Sequence, residues 1–355
     1  MKEGKQKKPV LFNKLGRPEL EEKLKNESFN RITVSLYRYV AIENPEEFRD
    51  ELFARWNELN INGRIYLAKE GINAQFSCPE HNWKLFMLSI EDYDYLKDVP
   101  LKIAVEDDGK SFIKLTIKVR HKILADGLDD NSYDTSNVGK HLTAAEWNKH
   151  MDDPNTIIVD VRNHYENEIG HFKGAICAES DTFKEDLPKI HDKLKGSEDK
   201  KILLYCTGGI RCEKTSAYLK HEGFEDVNQL HGGIIDYARQ IKAEGLDNNF
   251  VGKNFVFDER RGERVSDDII SSCHQCGESC DEHTNCNYLD CNLLFIQCEN
   301  CKKEYENCCS NDCLEISKLS IEEQRKIRIE REKQGLLDYK RSLRPKAREL
   351  NKNTK

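Results

Sequence analysis

The stretch Ile202-Leu203-Leu204-Tyr205-Cys206-Thr207-Gly208-Gly209-Ile210-Arg211 passes from a continuous apolar run, through paired glycines, into a helical pattern. A short apolar run bounded by glycine reads as a buried strand, so Cys206 stands at a strand's carboxyl end and at the mouth of a helix. Consecutive backbone N–H groups at such a turn have no partner within the helix, and together with the helix dipole they favour an anion. The thiolate form of Cys206 is therefore expected to be stabilised.

Four residues separate Cys206 from Arg211, and the next position is Cys212. Phosphatases that grip phosphate in the same kind of cradle use a loop one residue longer. A smaller ring suits a sulfur-sized anion such as a persulfide better than a tetrahedral phosphate, which points to rhodanese-type sulfur chemistry. A plain strand-helix turn with a buried cysteine is the alternative. Cysteine, paired glycines and arginine falling together at a helix start argue for the anion loop, Thr207, Gly208, Gly209, Ile210 and Arg211.

The chain has 355 residues, a length that suggests two or three domains. Lys and Arg number 56 and Asp and Glu 64, so the net charge of −8 carries no global sign of a nucleic-acid binder. Residues 321–355 alone hold 12 basic and 6 acidic side chains, a local charge of +6. Such a tail reads as a solvated helix or disordered arm, with RNA phosphate binding as the sharper alternative. No window approaches the roughly 18 uninterrupted apolar residues of a membrane span, and the N-terminus lacks an apolar signal core. A cytoplasmic protein without a membrane partner is expected. Of 14 cysteines, ten lie between Cys273 and Cys313, a pattern that suggests metal binding rather than disulfides in a chain with no export signal.

The order along the chain gives an α/β multidomain protein. A basic leader (1–28) precedes a segment (29–125) that reads strand, helix, strand, strand, helix, strand. Its first strand is the alternation from Ile32 to Val40. Asn44-Pro45-Glu46-Glu47 reads as a helix start, followed by Phe48, Leu52, Trp56 and Leu59 at helical spacing. A hairpin of 64–67 with 72–76, a helix over 83–90 and strands over 101–105 and 112–119 complete an N-terminal ferredoxin-like α+β sandwich. A polar linker (126–140) leads to a region of alternating strands and helices (141–246), which implies a central domain with a parallel sheet. A Cys-rich module (247–318) and a charged tail (319–355) follow.

Asp160-Val161-Arg162 ends one strand of the central region and His231-Gly232-Gly233 closes another. Together with the Cys206 loop they resemble a rhodanese domain, in which the aspartate and arginine brace the fold around the active loop; His171 and His231 are expected as scaffold. Cys212 is either a partner that resolves an oxidised Cys206 or a core residue. In the Cys-rich module, Cys273-x-x-Cys276 and Cys298-x-x-Cys301 can complete one tetrahedral thiolate site. The further cysteines Cys280, Cys286, Cys291, Cys308, Cys309 and Cys313 exceed the needs of one ion, so two structural zinc sites are expected, with an iron-sulfur cluster as the competitor.

Lys69-Glu70-Gly71-Ile72-Asn73-Ala74, Tyr205 to Lys214, Gly252 to Arg260 and Cys273-His274-Gln275-Cys276-Gly277 occur in that order. The chain thereby resembles the bacterial oxygen-dependent tRNA uridine hydroxylases over about 32–313. That resemblance implies a tRNA substrate, 5-hydroxyuridine at the wobble position of the anticodon loop as product, molecular oxygen as co-substrate and Cys206 as the essential residue. A sulfur or electron donor is left unassigned. A generic sulfurtransferase carrying a Cys206 persulfide is the alternative, though it has little need of the two flanking domains. Arg64, Lys69, Lys118, Arg120 and Lys122 supply cations on or beside predicted strands; each is either an RNA contact or a solvated surface charge.

Overall fold

The computed structural model describes residues 15–105, 111–129 and 132–334. The N-terminal sheet runs Lys102–Ile103, Arg31–Tyr39, Gly71–Pro79, Asn62–Ala68, Leu115–Val119 in spatial order. Its first four strands are antiparallel neighbours and the last pairs parallel with Asn62–Ala68. This is the expected ferredoxin-like sandwich with one additional edge strand.

The helix Pro45–Glu58 starts where the sequence places it. Asn44 Oδ1 accepts the Glu47 N–H at 3.3 Å, and proline occupies the first turn, where its missing N–H costs nothing. Phe48, Leu52 and Trp56 are buried on one face of the sheet, where Trp56 meets Phe76 at 4.8 Å and Phe86 at 5.7 Å between ring centroids. The second helix, Trp83–Glu91, buries Phe86 and Ile90 beside them. Both helices cover this one face, which leaves the other face of the sheet to the rest of the protein.

Of the predicted strand over 101–105, only Lys102–Ile103 pairs. The Val105 N–H goes to the Glu263 carboxylate at 3.1 Å instead of to a neighbouring strand. Within the leader, Arg17–Lys25 forms a helix that buries only Leu20 and Leu24, too sparse an apolar pattern to read from sequence; residues 1–14 lie outside the described residues.

The central sheet is parallel throughout, in the order Lys140–Leu142, Asp226–Leu230, Lys201–Tyr205, Thr156–Asp160, Ile176–Cys177. Lys201–Tyr205 is its middle strand, so the loop after Tyr205 opens at the centre of the carboxyl edge, where open α/β sheets place their sites. The connector is held at both ends: Asp126 is buried and paired with Lys214 at 2.8 Å, and Lys140 joins the sheet.

Strand Phe250–Asn254 then pairs with Gly170–Phe172 and carries the chain into the Cys-rich module. The tail begins with the helix Ile321–Lys333, capped by Ser320 and Glu323. Two of its bases pair at the surface, Arg331 with Asp312 at 3.0 Å and Arg328 with Asp290 at 3.3 Å. The basic residues of 335–355 lie outside the described residues. Among the described residues no helix is long and apolar enough to cross a membrane.

Candidate active site and thiolate clusters

Cys206 directly follows the middle strand, and the helix Ile210–His221 starts four residues later. Gly209 stands between them with φ +101°, a conformation that L side chains rarely adopt. Its N–H points at the Cys206 sulfur at 3.0 Å. A Cβ at this position would also fall 2.6 Å from the Tyr37 hydroxyl, so the N-terminal domain closes over the loop here. On the other side the Cys206 and Thr207 carbonyls accept the N–H groups of Ile234 and Ile235 at 3.0 and 3.2 Å. Gly233 permits that approach, since a Cβ there would lie 2.6 Å from both carbonyl oxygens. The glycines of His231-Gly232-Gly233 thus fasten the back of the loop, while the His231 ring packs on His141.

Burial pushes the Cys206 thiol up, but the Cys212 thiol, the Arg211 guanidinium and the backbone N–H groups of Cys212 and Arg211 outweigh it and bring its pKa down to about 5. Arg211 is fixed by a two-pronged ion pair with buried Glu166, at 2.6 and 2.8 Å, and donates to Thr207 Oγ1 at 3.2 Å. Glu166 is a partner of the loop arginine that the sequence did not signal. Its place one turn into the short helix His164–Ile169 becomes meaningful only once that helix packs beside the loop.

Asp160 and Arg162 pair with each other at 2.9 and 2.7 Å, entirely buried. Arg162 also donates to the Gly170 carbonyl and Asp160 accepts from the Tyr205 hydroxyl. They tie three strands together and act as a brace. His171 is likewise scaffold, its ring set against the Asn167 carbonyl.

Above the loop lies a cavity of about 1040 Å³. Cys206, Thr207, Gly208, Ile210 and Arg211 form its floor; the outer face of the N-terminal sheet is one wall and Val256, Phe257, Asp258 and Arg260 another. Three of the sequence segments singled out above therefore meet at one site. Of the predicted cations, Arg64, Arg120 and Lys122 line the cavity, whereas Lys69 and Lys118 do not. Lys122 is engaged by Asp126 at 2.9 Å.

Lys102 was not signalled by the sequence. Its ammonium sits 4.2 Å from the centroid of the Tyr37 ring, and it lines the cavity with Cys206. Burial lowers its pKa to about 8, against the pull of the Cys206 thiolate in the other direction. The two domains are locked by Lys214, 1% exposed at its side chain, whose ammonium reaches Glu70 at 3.0 Å, Asp126 at 2.8 Å and the Leu124 carbonyl at 3.0 Å.

In the Cys-rich module eight of the ten cysteines converge in two sets, Cys273, Cys276, Cys298 and Cys301, and Cys286, Cys291, Cys309 and Cys313; within each set all sulfurs lie within 4.8 Å of one another. The sulfurs of Cys276 and Cys298 are 3.6 Å apart, and those of Cys291 and Cys309 3.7 Å. A disulfide needs about 2.05 Å, whereas a tetrahedron with Zn–S arms of about 2.3 Å has edges of about 3.8 Å. The donor sets fit one tetrahedral ion each. Cys280 and Cys308 stand outside them: Cys280 Sγ accepts the Glu282 N–H at 3.4 Å, and Cys308 Sγ donates to Ser317 Oγ at 3.5 Å.

Comparison with known proteins agrees with this division. Residues 31–123 match the UPF0176 acylphosphatase like domain, 143–240 the Rhodanese-like domain and 251–314 the Rhodanase C-terminal family. A protein of Leptospira interrogans named tRNA uridine(34) hydroxylase is 52% identical over 344 residues, covering 97% of this chain and 94% of that protein. One of Pectobacterium carotovorum with the same name is 52% identical over 325 residues, 91% of this chain and 92% of its own. With agreement at that level spanning all three domains, the chain belongs to the tRNA uridine(34) hydroxylase family.

Proposed function

We propose that this protein hydroxylates C5 of the wobble uridine in the anticodon loop of tRNA, with molecular oxygen as co-substrate and Cys206 as nucleophile. The observation that carries the reading is a low-pKa sulfur at the floor of a cavity whose opposite wall is a cationic sheet face. The wobble base lies in a single-stranded loop, so it can enter such a cavity without breaking a duplex.

In this scheme the Cys206 sulfur adds to C6 of the uracil and the C5–C6 electron pair becomes an enolate with carbanion character at C5. Oxygen joins C5, and loss of the C5 proton with expulsion of the thiolate from C6 restores the ring. One oxygen atom enters the C5–H bond. The other leaves as water, taking two electrons and two protons from a thiol reductant. The Gly209 N–H and Arg211 hold the sulfur anion before and after the covalent step. The two four-cysteine sets hold structural zinc, in keeping with thiolate-only donor sets at tetrahedral spacing. A tRNA substrate supports a cytoplasmic location for the protein.

Mass spectrometry of tRNA nucleosides from cells with and without the gene, grown with and without oxygen, tests the reading. Disappearance of 5-hydroxyuridine in the deletion strain and in anoxic cells is expected. Disappearance of a thiolated uridine instead would replace hydroxylation by sulfur transfer.

A further inference from the structure

The strands of the N-terminal sheet alternate strictly, so their register fixes what shares the outer face. Val34, Leu36, Ala74, Phe76, Ile65 and Ile117 point into the sandwich. On the opposite face Gln75 stands beside Arg64, and in the next row Tyr37, Asn73, Tyr66 and Lys118 follow one another across four strands. None of these six positions is acidic. Tyr66, Asn73, Gln75 and Arg64 all line the cavity that ends on Cys206.

Distance along the face is set by two observations. Tyr37, at one end of the row, touches the loop at Gly209. Ser35, directly across from Gln75, lies 3.9 Å from where a Gly208 Cβ would be. Neighbouring strands are about 4.8 Å apart, so Tyr66 stands two strands, about 10 Å, from Tyr37 at the loop. That is the reach of a nucleotide next to one whose base is at Cys206.

Tyr66 has the properties of a stacking surface. It is partly exposed, and among the described residues no aromatic ring packs against it. Arg120 lies over the ring at 5.7 Å from the centroid, so a base placed there would meet an aromatic plane and a cation together. The Asn73 and Gln75 amides lie beside it, joined at 2.6 Å from Gln75 Nε2 to Asn73 Oδ1. An antiparallel sheet that presents a ring among amides and cations is a surface on which single-stranded RNA bases stack.

We propose that the outer face of the N-terminal sheet is a nucleobase platform, on which Tyr66 stacks a base of single-stranded RNA adjacent to the one delivered to Cys206, with Arg64 and Arg120 facing the phosphates. The proposal rests on the RNA-modifying reading above and adds to it the residue that holds the neighbouring base.

The test is binding of a fluorescein-labelled anticodon stem-loop RNA to the full-length protein, measured from low to physiological salt for wild type, Tyr66→Ala, Tyr66→Phe and Arg64→Glu, with melting temperatures as a check on folding. Loss of one stacked base corresponds to roughly 10- to 100-fold weaker binding. Tyr66→Ala is expected to show that loss with an unchanged salt slope, and Tyr66→Phe to stay within about threefold of wild type. Arg64→Glu instead changes the slope of log Kd against log salt, by about one to two. Equal binding by wild type and Tyr66→Ala would overturn the platform. So would an equal loss in Tyr66→Phe, because the hydroxyl rather than the ring would then be responsible. If the platform variants behave as expected but deletion of the gene leaves 5-hydroxyuridine intact, the reaction assigned above fails and the RNA platform stands.

Discussion

Cys206 and the eight clustered cysteines both hold sulfur poised as an anion, in opposite ways. At Cys206 one sulfur is served by peptide N–H groups, a neighbouring thiol and an arginine that is itself held by Glu166. In each set of the Cys-rich module four sulfurs lie within 4.8 Å of one another, an arrangement whose thiolate charge a metal ion can balance. The first design leaves the sulfur free to react. The second can commit all four thiolates of a set to one ion. Burial does not distinguish the two settings, because Cys206 and six of the eight clustered cysteines are all buried; the number of cysteines around a sulfur does.

The comparison breaks most sharply with Cys206→Ser. Tritium- or mass-detected hydroxylation of tRNA should fall at least about a thousandfold, as expected when a nucleophile is removed from an otherwise intact site. The melting temperature and metal content should remain those of wild type. Cys273→Ser or Cys309→Ser should do the reverse. Bound zinc should drop from two ions per chain to one, and the module should lose a large part of the roughly 10–16 kcal/mol that structural zinc supplies to small thiolate sites. The first set should matter more for activity. Cys273, Cys280, Cys298 and Cys301 share a core with Tyr165, Ile169 and Phe255, and Tyr165 and Ile169 flank Glu166 on the helix that holds Arg211. The second set shares its core with Ile316 and neighbours farther along the chain.

Much of this division is legible in the sequence where a few adjacent residues decide it. The Cys206 loop is such a case, since strand, glycines and helix start lie within ten positions, and the Cys-x-x-Cys pairs are another. The opposite wall of the cavity is not. Tyr66, Asn73 and Gln75 alternate with core residues, and that pattern alone reads as an ordinary solvated sheet face. It faces the loop because contacts between the two domains hold it there, Lys214 to Glu70 and Asp126 and Tyr37 to Glu213 among them. Lys102 is hidden for the same reason. Glu166 is one of several carboxylates in its stretch, and nothing local marks it as the partner of Arg211.

Cys212 sharpens the comparison, because it sits against Cys206 yet belongs to neither cluster. Among the groups that lower the Cys206 pKa its thiol comes first, while burial and the Cys206 thiolate push its own pKa well above the usual thiol range. At neutral pH the pair is thus one thiolate and one thiol donor. Alkylation of Cys206 is expected above about pH 5, where the thiolate predominates, and should be lost as the pH falls through that value. Cys212→Ala should move the midpoint of iodoacetamide alkylation upward by about one to two units, whereas Cys212→Ser, which retains a donor, should restore most of the shift. Full hydroxylation by the serine variant would show that Cys212 serves as a donor. Loss of turnover despite a restored midpoint would show that its sulfur is needed to resolve an oxidised Cys206.

The smallest effect is expected at the two cysteines of the module that stand outside the clusters. Cys308 precedes Cys309 directly, yet only Cys309 turns into the second set; Cys308 points instead at Ser317 on the following helix. Cys280 takes a backbone N–H from Glu282 across a tight turn. Each can be replaced by serine with no change in zinc stoichiometry, at a cost of about 1 kcal/mol for placing a more polar atom in a buried, already hydrogen-bonded position. Metal analysis beside thermal melting checks this. A Cys280→Ser or Cys308→Ser protein that held one zinc would mean that a cluster recruits a fifth sulfur, and the partition into two sets of four would have to be redrawn.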